Sequence, residues 1–324
     1  MRPPNRRSLI LRAGKVLVCE FVLLIGLVPS LLADQPAASP TPLPEFEFNT
    51  TVFMSTFKLF EPVNHGTCGS SFLLVKPKTP GAREGWWVLV TAAHLLEGIM
   101  GDQAVLVTRS HAGDVWTRAP YTFHVRKAGK PLWVKHPTAD VAAMYLSLPD
   151  ALKPPGGIST ELLATDELLD KYDVHPGDEL FALGFPFCEE GDFGFPVLRS
   201  GALASFPLVP SRSIHAFLFD FSVFEGNSGS PVYLYSPNRT VHGNRSSQTV
   251  QMIMGLVSAQ SMEPSQSATV APTGTGALFA KSPAAAATRI LPGTTRSSLA
   301  LAVIVPSTLI SDTINRLPQT PPAP

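Results

Sequence analysis

The chain has 324 residues, which is enough for one large domain or two small ones with a sizeable core. Lysine plus arginine and aspartate plus glutamate number 25 each, so the charge balance gives no support for nucleic-acid binding, which normally needs a basic surface. Charged residues are only 15% of the chain, below the roughly 25% of ordinary globular domains, because 34–44, 261–298 and 318–324 hold few charges.

Residues 1–33 have the pattern of an export signal. Five basic residues precede the apolar run FVLLIGLVPSLLA, whose final LLA forms a cleavage site before Asp34. The run from Phe21 to Leu32 is short for a transmembrane helix, so a cleaved signal is favoured over the alternative of a retained anchor. This predicts an exported protein, periplasmic or extracellular, without stable membrane insertion after signal removal. A Pro-rich linker is predicted at 34–47.

Short apolar segments separated by turn residues follow the linker. Those between 51 and 148 are TVFMSTFKLF, SSFLLVK, WWVLVTAA, AVLVTRS, YTFHVRKA and DVAAMYLSL. After the break LPDALKPPGGIST come ELFALGF, VLRSGALASF, IHAFLFDFSV, PVYLYS, TVQMIMGLVSA and SLALAVIV. Their apolar runs and alternations, rich in Val, Phe, Leu and Thr, are typical of β-strands. Two runs of about six strands predict an all-β protein with two barrels or sheets, at about 48–150 and 163–318.

The C-terminal region has two further features. Leu309, Ile310, Ile314 and Leu317 follow helical spacing after a Pro-Ser pair, which predicts a short helix. The segment 261–298 is repetitive in Ala, Ser, Thr, Pro and Gly and predicts a long loop between the last two strands. A Pro-rich tail is predicted at 319–324.

Three residues are candidates for chemistry. In FEGNSGSPVYL, Ser228 lies between glycines and could be a nucleophile on a tight turn, or part of an ordinary turn before a strand. A serine nucleophile needs a base, and His94 ends the apolar run WWVLVTAAH, although a buried core histidine would show the same pattern. Asp140, at a loop-to-strand junction, could orient that histidine or could be a turn residue.

The motifs TAAH, Asp-Val-Ala and GNSGSP, in the order His, Asp, Ser, together resemble the chymotrypsin/trypsin-like serine proteases. The similarity is greatest to the bacterial secreted branch that includes HtrA-type and glutamyl endopeptidases, and it covers about residues 50–317. GTCGSSFLL, ALGFPF, VLRSGALAS and GLVSAQ also fit that family. The resemblance implies a protease domain at 48–318 with two six-stranded antiparallel β-barrels, an active site between them and a short C-terminal helix. We expect no PDZ-like domain after it.

The resemblance also implies roles for the three candidates. Ser228 would be the nucleophile, His94 the general acid and base, and Asp140 the residue that holds the imidazole tautomer. Backbone N–H groups of Gly226 and Ser228 would form the oxyanion hole. The resemblance implies peptide or protein substrates, and neither a cofactor nor a metal.

Two departures from the family pattern affect activation and cross-linking. Animal-type members pair a freed N-terminal amine with an aspartate before the catalytic serine, and Asn227 stands at that position here. We therefore expect no activation by an N-terminal salt bridge. The usual partner position of Cys68 is occupied by Leu95, so the usual disulfide cannot form, and whether Cys68 pairs with Cys188 stays open.

The same comparison places Ser222, Ser258 and Gln260 in the primary substrate pocket. Ser222 provides no charge for a basic side chain, and Val257 stands where glutamyl endopeptidases have histidine. A preference for neutral residues is therefore predicted. Two alternatives remain: a latent or weakly active peptide-binding or sensing module on the same fold, and a site covered by the 261–298 loop.

Overall fold

The computed structural model describes residues 47–63, 66–82, 84–240, 247–258 and 301–321. The predictions about the export signal, nearly all of the linker, the 261–298 loop and Gln260 lie outside these residues. The described residues belong to one compact unit. Among them, no helix combines the length and the apolar character needed to cross a membrane.

Strands dominate the described part of the chain. The strands of its N-terminal half are β1 (Thr56–Phe60), β2 (Cys68–Pro77), β3 (Gly85–Thr91), β4 (Gln103–Ala112), β5 (Val115–His124), β6 (Arg126–Lys127), β7 (Lys130–Pro131), β8 (Val134–Lys135), β9 (Ala142–Tyr145) and β10 (Ile158–Ser159). Those of the C-terminal half are β11 (Glu179–Gly184), β12 (Val197–Leu203), β13 (Phe217–Asp220), β14 (Pro231–Thr240), β15 (Ser247–Ser258) and β16 (Leu301–Pro306). The α-helices are α1 (Phe48–Met54), α2 (Ala93–Gly98), α3 (Asp166–Lys171), α4 (Ser211–Ile214) and α5 (Ser307–Ile314).

The C-terminal half forms a closed barrel of six strands, in the order β11-β12-β13-β16-β15-β14. Every neighbouring pair is antiparallel, and β16 lies between β13 and β15. This agrees with the sequence prediction for the second half. Closure leaves this sheet without a free edge strand.

The N-terminal half forms an eight-stranded sheet, in the order β5-β4-β1-β2-β3-β9-β8, with β10 parallel to β2. The predicted six-stranded closed barrel is not confirmed here, because the described strand pairings do not join β5 to β8. Strand β8 has two residues and Pro137 follows closely, while Pro120 lies in β5. Proline lacks the N–H that a ladder needs, which limits pairing at both edges.

Three apolar clusters hold the molecule together. One fills the N-terminal sheet and a second fills the C-terminal barrel. The third joins the two halves and contains Phe72 and Val90 from the first, Leu183 and Tyr233 from the second, and Ile310 from α5. The predicted C-terminal helix is therefore confirmed and belongs to the core between the halves. Burial of each such side chain contributes about 1.5–3 kcal/mol.

Candidate active site

His94 is the second residue of α2, directly after the buried strand β3. Its backbone N–H donates to Oδ1 of Asp140 at 3.0 Å, and its ring Nδ1 lies 2.7 Å from Oδ2. Since an ionised carboxylate only accepts hydrogen bonds, the proton of the neutral ring is on Nδ1 and Nε2 is an acceptor. The end of α2 is fixed by Arg126, which donates to the carbonyl oxygens of Leu96 and Ile99 at 2.8 and 2.5 Å.

Asp140 lies in the turn that leads into β9, and its side chain is 7% exposed against 36% for His94. Its Oδ2 also accepts a hydrogen bond from the hydroxyl of Ser258, at 2.7 Å. Burial raises the pKa of Asp140, but the hydrogen bonds and charge of His94 and the Ser258 hydroxyl outweigh it and hold that pKa below its ordinary value. Asp140 is therefore an anion suited to orient an imidazole.

Ser228 lies on a tight turn that only glycine neighbours permit. Gly226 and Gly229 have φ of 90° and 82°, in the left-handed region. A Cβ at Gly226 would lie 2.0 Å from the carbonyl oxygen of Phe185, and one at Gly229 would lie 2.0 Å from that of Ser70. Both glycines thus serve the conformation and the close packing of the turn.

Ser70 of β2 links this turn to the strand before His94. Its N–H donates to the carbonyl oxygen of Ser228 at 2.8 Å, and its own carbonyl oxygen accepts from the hydroxyl of Thr91 at 2.7 Å. Its hydroxyl donates to the carbonyl oxygen of Gly226 at 2.7 Å. Sequence analysis missed this residue, because GTCGSSFLL was read only as a strand.

A second link runs through β15. The N–H of Gly229 donates to the carbonyl oxygen of Val257 at 2.8 Å, and the next residue is Ser258, which holds Asp140. The structure thus brings the three candidates into one network. In the described part of the chain, no hydrogen bond joins the Ser228 hydroxyl to the His94 ring. Such bonds are often longer in free enzymes than in substrate complexes.

The N–H groups of Gly226 and Ser228, the predicted oxyanion donors, have no acceptor among the described residues. The peptide before Gly226 is held from its other side, where the carbonyl oxygen of Glu225 accepts from the N–H of Phe187 at 2.6 Å. Free N–H donors beside a candidate nucleophile are the arrangement that stabilises an oxyanion.

The predicted pocket residues have different placements. Ser222 is partly exposed, and its carbonyl oxygen accepts from Nη1 of Arg199 at 2.5 Å. The Ser258 hydroxyl contacts Asp140, and Gln260 is outside the described residues. Sequence analysis did not single out Arg199; the available signal was one arginine inside the apolar strand VLRSGALAS.

Cys68 and Cys188 form a disulfide between residues 120 apart in sequence, with their Cα atoms 6.0 Å apart. This pairing was left open by the sequence. It connects the start of β2 to the segment that packs against Gly226. The Leu95 side chain packs closely against Gly69, where a Cβ would lie 2.3 Å from Cδ1 of Leu95.

No protein-family profile and no curated protein sequence matches this chain. Three of the solved structures similar to it are proteins of bacteria. A serine endoprotease from Yersinia pestis is 14% identical, with 83% of this chain and 66% of that chain covered, at a TM-score of 0.41. An inactive form of Rv3671c from M. tuberculosis H37Rv is 16% identical, with 89% of this chain and 99% of that chain covered, at a TM-score of 0.41. The protease Anisep from Arthrobacter nicotinovorans is 13% identical, with 82% of this chain and 95% of that chain covered, at a TM-score of 0.40. The chain spans less than two thirds of the length of the Yersinia protein. These similarities assign no family to it.

Proposed function

We propose that this protein is an exported serine endopeptidase of the chymotrypsin/trypsin-like type, acting on peptides or proteins. The observation that carries the proposal is the chain of hydrogen bonds from Ser258 through Asp140 to His94, which lies beside the Ser228 turn. Export rests on the N-terminal sequence pattern.

The proposed reaction begins when Oγ of Ser228 attacks the carbonyl carbon of the scissile peptide bond. His94 Nε2 takes the hydroxyl proton, and Asp140 stabilises the imidazolium that forms. The π electrons of the carbonyl group move to its oxygen, and the N–H groups of Gly226 and Ser228 bind the oxyanion that results. Each such donor typically stabilises the transition state by about 2.7–4 kcal/mol.

Collapse of this tetrahedral intermediate breaks the C–N bond. The leaving amine takes the proton from His94, and an ester to Ser228 remains. Water then attacks the ester with His94 again as base, which releases a carboxylic acid and regenerates the Ser228 hydroxyl. All protons in the cycle pass through one imidazole nitrogen, so the tautomer set by Asp140 is required.

Labelling with a fluorophosphonate, followed by mass spectrometric mapping, tests the proposal. We expect one adduct, on Ser228, and none in Ser228→Ala. Ser236→Ala, farther along β14, is the matched control and should label as the wild type does. Absence of an adduct in folded protein would contradict the enzyme proposal.

The second candidate is a peptide-binding or sensing module with little turnover. One fold can host both catalysis and binding, so the chemistry of Ser228 is what separates the two candidates. Peptide binding without labelling would support this candidate. Labelling of Ser228 would exclude it, because only an activated hydroxyl reacts readily with the phosphorus atom.

A further inference from the structure

Four side chains stack against one another in and beside the segment that leads to the Ser228 turn. The guanidinium carbon of Arg199 lies 4.7 Å from the ring centroid of Phe221 and 5.2 Å from that of Phe224. The Phe224 ring in turn lies 4.5 Å from that of Phe187. Arg199 also donates to the carbonyl oxygen of Ser222 at 2.5 Å. One cation therefore contacts three residues of the segment that leads to Gly226.

Arg199 is half-buried, and burial lowers its pKa below the ordinary value, although a guanidinium stays charged at neutral pH. Among the described residues, no carboxylate forms an ion pair with it. Partial desolvation of an unpaired cation costs free energy. The hydrogen bond to the Ser222 carbonyl oxygen and the cation–π contacts with Phe221 and Phe224 offset that cost.

Phe187 is unusual in both side chain and backbone. The residue is 62% exposed, and its φ of 58° is in a region that bulky residues rarely adopt. Neither burial nor backbone preference explains its conformation, and such strain persists only where surrounding contacts impose it. The observed contacts are the Phe224 ring and the hydrogen bond from the Phe187 N–H to the Glu225 carbonyl oxygen, at 2.6 Å.

That hydrogen bond determines the direction of the next donor. A trans peptide is planar, and its C=O and N–H point in opposite directions. Because the Glu225 carbonyl oxygen is bonded to the N–H of Phe187, the N–H of Gly226 points to the opposite side of the same peptide. No described residue accepts a hydrogen bond from it there. Rotation of this peptide would turn the donor away from the position that it needs for an oxyanion.

We propose that Arg199 is a positioning residue that orients the Glu225–Gly226 peptide through the Phe224–Phe187 stack and the Ser222 carbonyl. This rests on the proposed function, because an oriented Gly226 donor matters to catalysis only if the site performs acyl transfer. Among the described residues, no hydrogen bond joins Arg199 to Ser228 or His94.

The kinetic test compares Arg199→Ala and Arg199→Lys with the wild type. Removing one oxyanion donor typically lowers kcat about 10²- to 10³-fold, so we expect Arg199→Ala to lower kcat about 10²-fold with KM within about threefold. Arg199→Lys keeps the charge and a donor and should recover part of kcat. Arg212→Ala, which removes an exposed pair with Asp312 on α5, is the control and should keep wild-type kinetics. Unchanged kcat in folded Arg199→Ala would overturn the proposal.

Amide hydrogen exchange of the uninhibited full chain gives a second readout, which needs no turnover. The N–H of Phe187 should be protected in the wild type and exchange at least about tenfold faster in Arg199→Ala. The N–H of Phe185, bonded to the Ser70 hydroxyl at 3.2 Å, should keep its protection and exclude general unfolding. Equal exchange of Phe187 in both proteins would overturn the proposal. Wild-type protein that fails to label or cleave would contradict only the proposed function, since the exchange result stands separately.

Discussion

The hydroxyl of Ser258 and Nδ1 of His94 meet at the same oxygen, Oδ2 of Asp140, each at a distance of 2.7 Å. With the His94 backbone N–H on Oδ1, this carboxylate is fixed by three donors from two parts of the chain. The geometry gives Ser258 a role in holding Asp140, and its predicted place in the substrate pocket stays a proposal.

Ser258→Ala should destabilise the protein in a pH-dependent manner. The pKa of Asp140 is below its ordinary value of 3.8 when folded, so its contribution to stability is full above 3.8 and is lost as pH falls through the folded pKa. Loss of the Ser258 donor raises the folded pKa and should cost about 1–3 kcal/mol at neutral pH. Denaturant unfolding of both proteins at pH 7 and near pH 2 measures this. An equal loss at both pH values would show that Asp140 is not involved.

Single substitutions of the candidate triad should abolish peptide hydrolysis without unfolding the protein. We expect Ser228→Ala and His94→Ala each to lower kcat by about 10⁴- to 10⁶-fold, and the double variant to be no worse than either, because the two act as a unit. Steady-state cleavage of a peptide mixture, with thermal unfolding as the control, measures this. Wild-type turnover in Ser228→Ala would show that another group is the nucleophile.

Activity should not depend on a new N-terminus. Asn227 is 2% exposed and neutral, and it provides no carboxylate to pair with a terminal amine. Proteins that begin at Asp34, at Phe46 or with an added tag should therefore hydrolyse peptides at similar rates. Activity restricted to one processed terminus would instead require a zymogen mechanism.

Cleavage should follow neutral residues. Ser222 and Val257 provide no charge at the predicted pocket, and the Arg199 guanidinium is engaged by a carbonyl and two aromatic rings. Products of a peptide library, identified by mass spectrometry, should end in residues such as Ala, Val or Leu. Dominant cleavage after Arg, Lys or Glu would contradict this prediction.

The sequence predicted what depends on local pattern. Buried strands show apolar runs, so β3 was expected, and its ladder with β2 confirms it; His94 follows shortly after this strand, in α2. The glycines around Ser228 indicated a tight turn, and the positive φ values of Gly226 and Gly229 agree with it. The pairing of His94 with Asp140 was implied by the resemblance to the trypsin-like proteases, and the structure places these two side chains within hydrogen-bond distance.

The rest depended on contacts between distant residues. Ser70 contacts the Ser228 turn through both its N–H and its hydroxyl, and its carbonyl oxygen accepts from the Thr91 hydroxyl, but a serine in an apolar strand does not by itself indicate these partners. Arg109 is buried between the rings of Phe57 and Phe195 and donates to the Gly194 carbonyl oxygen at 2.8 Å, and nothing in the strand pattern AVLVTRS indicated these contacts. The open N-terminal sheet was missed because strand counting cannot show how edges pair.

The position of β16 has a consequence for the order of events during synthesis. This strand joins β13 to β15, and α5 directly after it places Ile310 in the core between the two halves. A nascent chain that ends before residue 301 lacks both the strand that closes the barrel and the helix that packs into the core between the two halves. Ser228 and His94 are both translated well before that point, yet their shared framework is completed only afterwards. The ribosome therefore makes Ser228 and His94 long before the last strand of the barrel and the last helix are available to complete the framework around them.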